Sequence, residues 1–266
     1  MTSLLLRLEY EGTDFHGFAE SRAVRTVAGE LRRLTARVTQ TEQIELRGAS
    51  RTDTGVHAFD QCVRIDVASA IGAEALGRAL TAMSPDDIRI RSAIPTPPEF
   101  DPTRSAIEKR YLYRLRNSRS APPHSRRFEW VFPAPLDLAA MRDAAAPLVG
   151  THDFAAYRNR SKGEPKNTVR TVRQIEIDEF GGGDADRELV FQVIGSGFLY
   201  RMVRNLVGTL VEVGRGSMPI EQPAEALRKL DRGLSGPSAP PQGLYLAEIR
   251  YPGDPACSVR STLPRF

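Results

Sequence analysis

The chain has only two cysteines in 266 residues, Cys62 and Cys257, with no Cys-x-x-Cys spacing and no histidine pair nearby. That excludes a disulfide framework and a cysteine-based zinc site, and it points to a reducing cytoplasm. Histidine is nearly as scarce. Beyond His57, the residues His16, His124 and His152 show no metal-ligand spacing, so no metal is expected. No apolar run approaches the roughly 18 residues needed to span a bilayer, which argues against a membrane protein. Met1–Arg7 lacks the basic n-region and long apolar core of a signal peptide and reads as a first strand. Gly195-Ser196-Gly197 lacks the third glycine of a dinucleotide loop, and no glycine-rich phosphate-binding motif with its lysine occurs. A nucleotide cofactor is therefore not expected.

The remaining composition is that of an ordinary globular protein, 41% hydrophobic and 26% charged, long enough for one large domain or two smaller ones. The net charge of +4 is modest, so its distribution matters more than its size. Eight basic residues lie between Arg104 and Arg127 against the single acid Glu108, and six between Arg158 and Arg173 against Glu164. Such clustering predicts a surface that meets a polyanion. A solvated face in a chain biased to arginine, with four lysines among 37 basic residues, is the alternative.

Periodicity divides the chain into two mixed halves. In residues 1–104, Leu4–Tyr10 reads as a strand, Thr26–Val38 as a helix, and Ile44–Leu46 and Val63–Val67 as strands flanking a polar loop. A helix around Ala75–Met83, stopped by Pro85, and a strand at Ile88–Ile94 follow, before the proline-rich crossing Pro95–Pro102. In residues 105–266, Tyr111, Tyr113 and Leu115 alternate with Leu112, Arg114 and Arg116, giving a strand with aromatics on one face and charge on the other. Leu138–Leu148 reads as a helix. Val169–Ile177 and Leu189–Val193 read as strands joined across Gly181-Gly182-Gly183-Asp184, and Phe198–Leu210 as the most hydrophobic helix. A short helix at Ala224–Leu230, a flexible run Ser235–Pro241 and a strand at Tyr245–Tyr251 close the chain. Strands and helices mix without strict βαβ alternation, which favours an α+β arrangement with largely antiparallel sheets.

Arg51-Thr52-Asp53-Thr54-Gly55-Val56-His57-Ala58 is the sharpest chemical feature. Short connections held by a sheet often carry chemistry. A carboxylate kept ionised by a neighbouring arginine can serve as a general base or capture an electron-poor sugar carbon. Asp53 could equally close an Asx turn with Gly55. Asp-Thr-Gly also matches aspartic proteases, but that chemistry needs two carboxylates sharing a proton, and with no second copy in the chain a homodimer would have to supply it. His57 reads as a hydrogen-bonded structural group. Tyr111 and Tyr113 offer stacking surfaces between basic neighbours, or core-filling rings. Arg201, Arg204 and Asn205 form one stripe of a helix, read either as solvated or, for Arg204, as facing a buried carboxylate such as Asp53.

These residues resemble the TruA-type tRNA pseudouridine synthases. Gly48–Ala58 is similar to the family signature, and the resemblance continues through Tyr10–Thr13, Lys109–Tyr113, His152–Phe154, Phe198–Gly208 and Gly243–Leu246 in the right order. It implies a cofactor-free isomerase converting uridine to pseudouridine in the anticodon stem-loop (positions 38–40) of tRNA. It further implies a homodimer in which each subunit's halves share one continuous sheet, the pseudouridine synthase fold. By the same resemblance Asp53 is the catalytic nucleophile, Tyr111 stacks on the target base, Arg51 helps hold that base flipped out, and Arg204 pairs with Asp53. A non-catalytic RNA-binding protein using the same strands is the competing expectation. Where the family has Gly-Trp-Gln, this chain has Gly17-Phe18-Ala19.

Overall fold

A computed structural model of the protein describes residues 1–97, 99–160, 167–181 and 186–254. Cys257, Lys162 and Lys166, and most of the loop expected at 181–184, lie outside them.

The N-terminal elements run β1 (Thr2–Tyr10), α1 (Val27–Thr39), β2 (Ile44–Gly48), β3 (His57–Val67), α2 (Ala73–Met83) and β4 (Ile88–Pro95). β1 lies between β3 and β4, antiparallel to both, and β2 adds to β3. The order is therefore β4-β1-β3-β2. The C-terminal elements run β5 (Glu108–Ser118), β6 (Trp130–Phe132), α3 (Leu138–Ala145), β7 (Gly150–Asp153), β8 (Val169–Phe180), β9 (Asp186–Gly195), α4 (Met202–Gly214), α5 (Gln222–Lys229) and β10 (Leu244–Arg250). Here β5 lies antiparallel between β9 and β10, and β8 adds to β9. The order β10-β5-β9-β8 repeats that of the first half, so each half is a βαββαβ unit with the same winding. β6 and β7 are additions that the sequence reading omitted. They run three and four residues, below the length at which alternation is visible.

The halves join where β10 runs parallel to the start of β3, through Tyr245 opposite His57 and Leu246 opposite Ala58. The result is a ten-stranded, mainly antiparallel sheet among the described residues, an α+β fold as expected. Helices α1 and α2 pack on the first half, and α3, α4 and α5 on the second. One apolar core runs under both, from Leu4, Leu6 and Leu8 to Tyr113, Phe191 and Leu206.

Sequence chemistry explains the element ends. Thr26 caps α1 by accepting from the Gly29 amide at 3.2 Å, and Asp137 caps α3 from Ala140 at 3.0 Å. α4 begins at Met202 and not at Phe198, because Arg201 has φ 60° and cannot continue a right-handed helix. Residues 198–201 are thereby a loop, and Arg204 and Asn205 are buried within a helix that is enclosed nearly all round. The supposedly flexible run 235–241 is packed. A Cβ on Gly208 would stand 1.9 Å from the Pro237 carbonyl oxygen, so α4 carries this segment directly on its backbone.

The first basic cluster is largely used internally. Arg114 pairs with Glu188 at 2.7 Å, Arg116 with Glu129 at 2.7 Å, and Arg127 with Asp14 at 2.6 Å, while Lys109 and Arg110 are buried. The face of β5 opposite the tyrosines is charged, as read, but its Arg114 and Arg116 meet acids of this chain.

Candidate active site

Asp53 stands in the β2–β3 connection, which two layers of contacts hold in place. β2 stops at Gly48, where a Cβ would come within 2.2 Å of the Phe18 ring. Phe18, the departure from Trp-Gln, is thus a buried filler against the strand end. Beyond it the side chain of Gln61 on β3 grips Ser50 like a ladder partner, accepting from its amide at 3.2 Å and donating to its carbonyl at 2.7 Å. The 12–18 loop folds over the rest. Phe18 donates to the Thr52 carbonyl at 3.0 Å, Gly55 to the Phe15 carbonyl at 3.3 Å, and Gly17, with φ +89°, leaves 2.8 Å where a Cβ would face the Thr52 carbonyl. Tyr10 and Thr52 share a hydroxyl hydrogen bond of 2.7 Å.

The turn at Asp53 is made by the backbone, not by its side chain. The Val56 amide donates to the Asp53 carbonyl at 3.1 Å, and Gly55 takes φ +78°. The carboxylate is left to accept from Arg204 Nη1 at 2.7 Å, and Arg201 Nε stands 3.8 Å from the same Oδ2. Two guanidinium groups on one carboxylate are the reverse of the shared-proton pair of an aspartic protease. Arg204 is itself anchored, since its Nε donates to the Ala239 carbonyl at 2.7 Å, and its side chain is only 9% exposed. The 235–241 segment thus fixes the arginine that fixes Asp53.

Tyr111 on β5 reaches the same place. Its hydroxyl shares a 2.7 Å hydrogen bond with Ser50 Oγ, and its ring meets Phe198 edge-on at 5.3 Å. Burial, and to a lesser degree the Asp53 charge, pushes the phenol up to about 12. It keeps its proton at neutral pH, so the ring and not the hydroxyl is its chemical asset. Tyr113 is fully buried and donates to the Pro240 carbonyl at 2.9 Å, which makes it the core-filling member of the pair.

Asp53, Arg51, Tyr111 and Arg204 line one cleft of about 980 Å³, with Lys109 and Arg158 further along its wall. Arg51 is exposed and makes no hydrogen bond or ion pair among the described residues. Lys109 is buried and donates to the Ala49 carbonyl at 2.6 Å, and desolvation with Arg170 nearby brings its ammonium down to about 8. His57 faces away into the sheet. Its Nδ1 accepts from the Gly12 amide at 3.1 Å, its Nε2 lies 3.1 Å from the Arg127 carbonyl, and its ring stacks on Tyr245 at 4.8 Å. Burial lowers its pKa, so it is a neutral structural group. Among the described residues, no group of three or more His, Cys, Asp or Glu side chains is arranged to hold a metal ion. No helix among them is long and apolar enough to cross a membrane.

Sequence reading alone missed Ser50, Gln61, Lys109 and Arg201. The first three act through contacts between segments distant in sequence. Arg201 was hidden because a helical apolar pattern runs straight through it.

A sequence model described as tRNA pseudouridine synthase matches residues 8–103 and 144–252. The chain is 41% identical over 260 residues to tRNA pseudouridine synthase A of Myxococcus xanthus, covering 96% of this chain and 94% of that one. It is 38% identical to the protein of the same name from Streptococcus pneumoniae (strain P1031), covering 94% and 99%, and 37% identical to that of Geobacillus sp. (strain WCH70), covering 92% and 96%. A solved H/ACA ribonucleoprotein bound to a substrate RNA containing 2'-deoxyuridine aligns at 11% identity and TM-score 0.35, covering 78% of this chain and 44% of that one, a likeness too slight to argue from. The matched family pattern and the near full-length relatives agree, and on them the protein belongs to the tRNA pseudouridine synthase family.

Proposed function

We propose that the protein isomerises uridine to pseudouridine in the anticodon stem-loop of tRNA, at positions 38–40, acting in the cytoplasm as a homodimer and without a cofactor. The single observation that carries this reading is the Asp53 carboxylate on the cleft, held by Arg204 at 2.7 Å and lined with Tyr111. In this role Asp53 is the nucleophile. Breaking the bond between ribose C1′ and uracil N1 leaves an electron-poor sugar, which Asp53 meets while the base is free. The base turns, C5 bonds to C1′, the C5 proton passes to solvent and N1 gains one. Tyr111 offers its ring to a base that has left its stack, and Arg51, exposed and without a protein partner among the described residues, occupies the space the base vacates in the helix. Arg204 holds Asp53 in place through their ion pair, and the Asp53 side chain, only 13% exposed, stands largely out of the water that would otherwise hydrolyse the opened sugar.

Tritium at uridine C5 reports the reaction directly. Wild-type protein is expected to release label from a tRNA transcript, and Asp53→Asn to release none while still binding tRNA. Release by Asp53→Asn removes the nucleophile assignment. Binding without release by the wild type makes the protein an RNA-binding module. Sedimentation equilibrium at micromolar concentration tests the homodimer, and a monomer mass there contradicts it.

A further inference from the structure

Two guanidinium groups meet the Asp53 carboxylate, and only one is tied down. Arg204 is enclosed and bonded to both Asp53 and the Ala239 carbonyl, so it cannot follow a charge that moves. Arg201 approaches from the solvent side with a side chain 36% exposed, its Nε 3.8 Å from Oδ2 and beyond hydrogen-bond reach. That Nε is itself buried and has no hydrogen-bond partner among the described residues. The backbone beneath it is strained. At φ 60° Arg201 occupies the left-handed region that glycine takes freely and a β-carbon resists. Strain kept beside a reactive group is a sign of use, because packing must hold it there. Here it turns the chain so that the Arg201 guanidinium lies by Asp53 and 5.1 Å over the Tyr200 ring.

The isomerisation creates a charge beside Asp53 that Asp53, Arg204 and Tyr111 do not receive, and among the described residues Arg201 is the second cation in contact with that carboxylate. When C1′–N1 breaks, the electron pair remains on N1, and the base separates as a uracil anion with charge spread over its ring nitrogens and carbonyl oxygens. Asp53 is negative and engaged with the sugar, Arg204 is committed to Asp53, and Tyr111 is neutral. We propose that Arg201 is a catalytic residue whose guanidinium gives up its long contact with Asp53 and donates to a carbonyl oxygen of the detached uracil. It holds the charge while the base turns, until C5 bonds to C1′, Asp53 is released as a carboxylate, the C5 proton passes to water and N1 is protonated. The loose contact, unpaired Nε and partial exposure suit a group that must exchange partners within one turnover.

This inference rests on the proposed function, and its test is built to fail separately. Single-turnover rearrangement is measured for wild type, Arg201→Gln and Arg201→Lys, alongside tRNA affinity by filter binding. On uridine tRNA it is read as pseudouridine, and on 5-fluorouridine tRNA as transfer of C1′ from N1 to C5, because fluorine leaves no C5 proton to lose and the rearranged base keeps the fluorine and takes up water at C6. Arg201→Gln is expected to slow conversion of uridine about 100-fold and to change affinity by no more than about twofold. Arg201→Lys, which keeps a cation, restores most of the rate. Fluorine stabilises the uracil anion, so the glutamine deficit is expected to shrink about tenfold on 5-fluorouridine. Arg201→Gly, which relieves the backbone, is expected to keep or raise the melting midpoint while conversion falls. An equal deficit on both nucleosides, a lysine variant as slow as glutamine, or a loss confined to affinity overturns the assignment. So does a fall in midpoint for Arg201→Gly. If wild type forms no pseudouridine, the functional reading fails first and the inference falls with it.

Discussion

At the scale of single residues, the site is built from side chains whose partners are backbone groups of other segments. Gln61 holds both polar groups of Ser50, Arg204 holds the Ala239 carbonyl, and His57 accepts from Gly12. Each contact satisfies a buried polar atom whose loss would otherwise cost about 1–3 kcal/mol. His57 gives this a pH signature. Burial depresses its folded pKa, whereas the unfolded chain takes up a proton near 6.5. The unfolded state therefore binds more protons below that value, and this contribution to stability is full above it and lost as pH falls. Urea midpoints at pH 7.5 and 5.5 are expected to show an acid loss that is smaller in His57→Gln than in wild type. An equal loss in both would mean that the imidazole is not its source.

At the scale of elements, α4 does two jobs. Its apolar side chains seat it in the core, and its glycine brings a neighbouring segment onto it. Alanine in place of glycine inside a helix ordinarily stabilises by about 1 kcal/mol. Gly208→Ala is expected to do the opposite, by about 2 kcal/mol, since its Cβ would fall 1.9 Å from the Pro237 carbonyl oxygen. Displacing that segment also loosens the Ala239 carbonyl from Arg204, so turnover should fall along with the melting midpoint. Calorimetry and tritium release on the same preparation check both. Unchanged turnover would separate the 235–241 segment from the site. The element reading from sequence held wherever a long amphipathic pattern met a capping residue, as at Thr26. It erred at Phe198–Arg201, where a pattern with the right period is interrupted by one left-handed residue, a property of φ that residue type does not reveal.

At the scale of the whole molecule, the two βαββαβ units meet at a seam, and the cleft lies there. Asp53 and Arg51 come from the first unit, and Tyr111 and Arg204 from the second. We propose residues 1–104 and 105–266 as the two structural halves, with β10 belonging to the second although it also pairs with β3. Produced separately, neither half is expected to form pseudouridine. Mixed, they are expected to recover activity through the shared sheet and core. Activity in either half alone would show that the site does not need the seam.

By itself the sequence determined the α+β class, the identity of most elements and the polar loop around Asp53 that we propose to be catalytic, because hydrophobic period and turn chemistry are local properties. It also carried the resemblance that singles out Asp53, Tyr111 and Arg204. Only the tertiary structure decided how Arg204, expected to pair with Asp53 151 positions away, is anchored for it by the Ala239 carbonyl, that much of the 104–127 cluster is neutralised internally, and that Arg201 stands beside the same carboxylate. Each of these is a distance between segments remote in the chain, and such distances follow from how sheet, helices and core close together, not from any window of sequence.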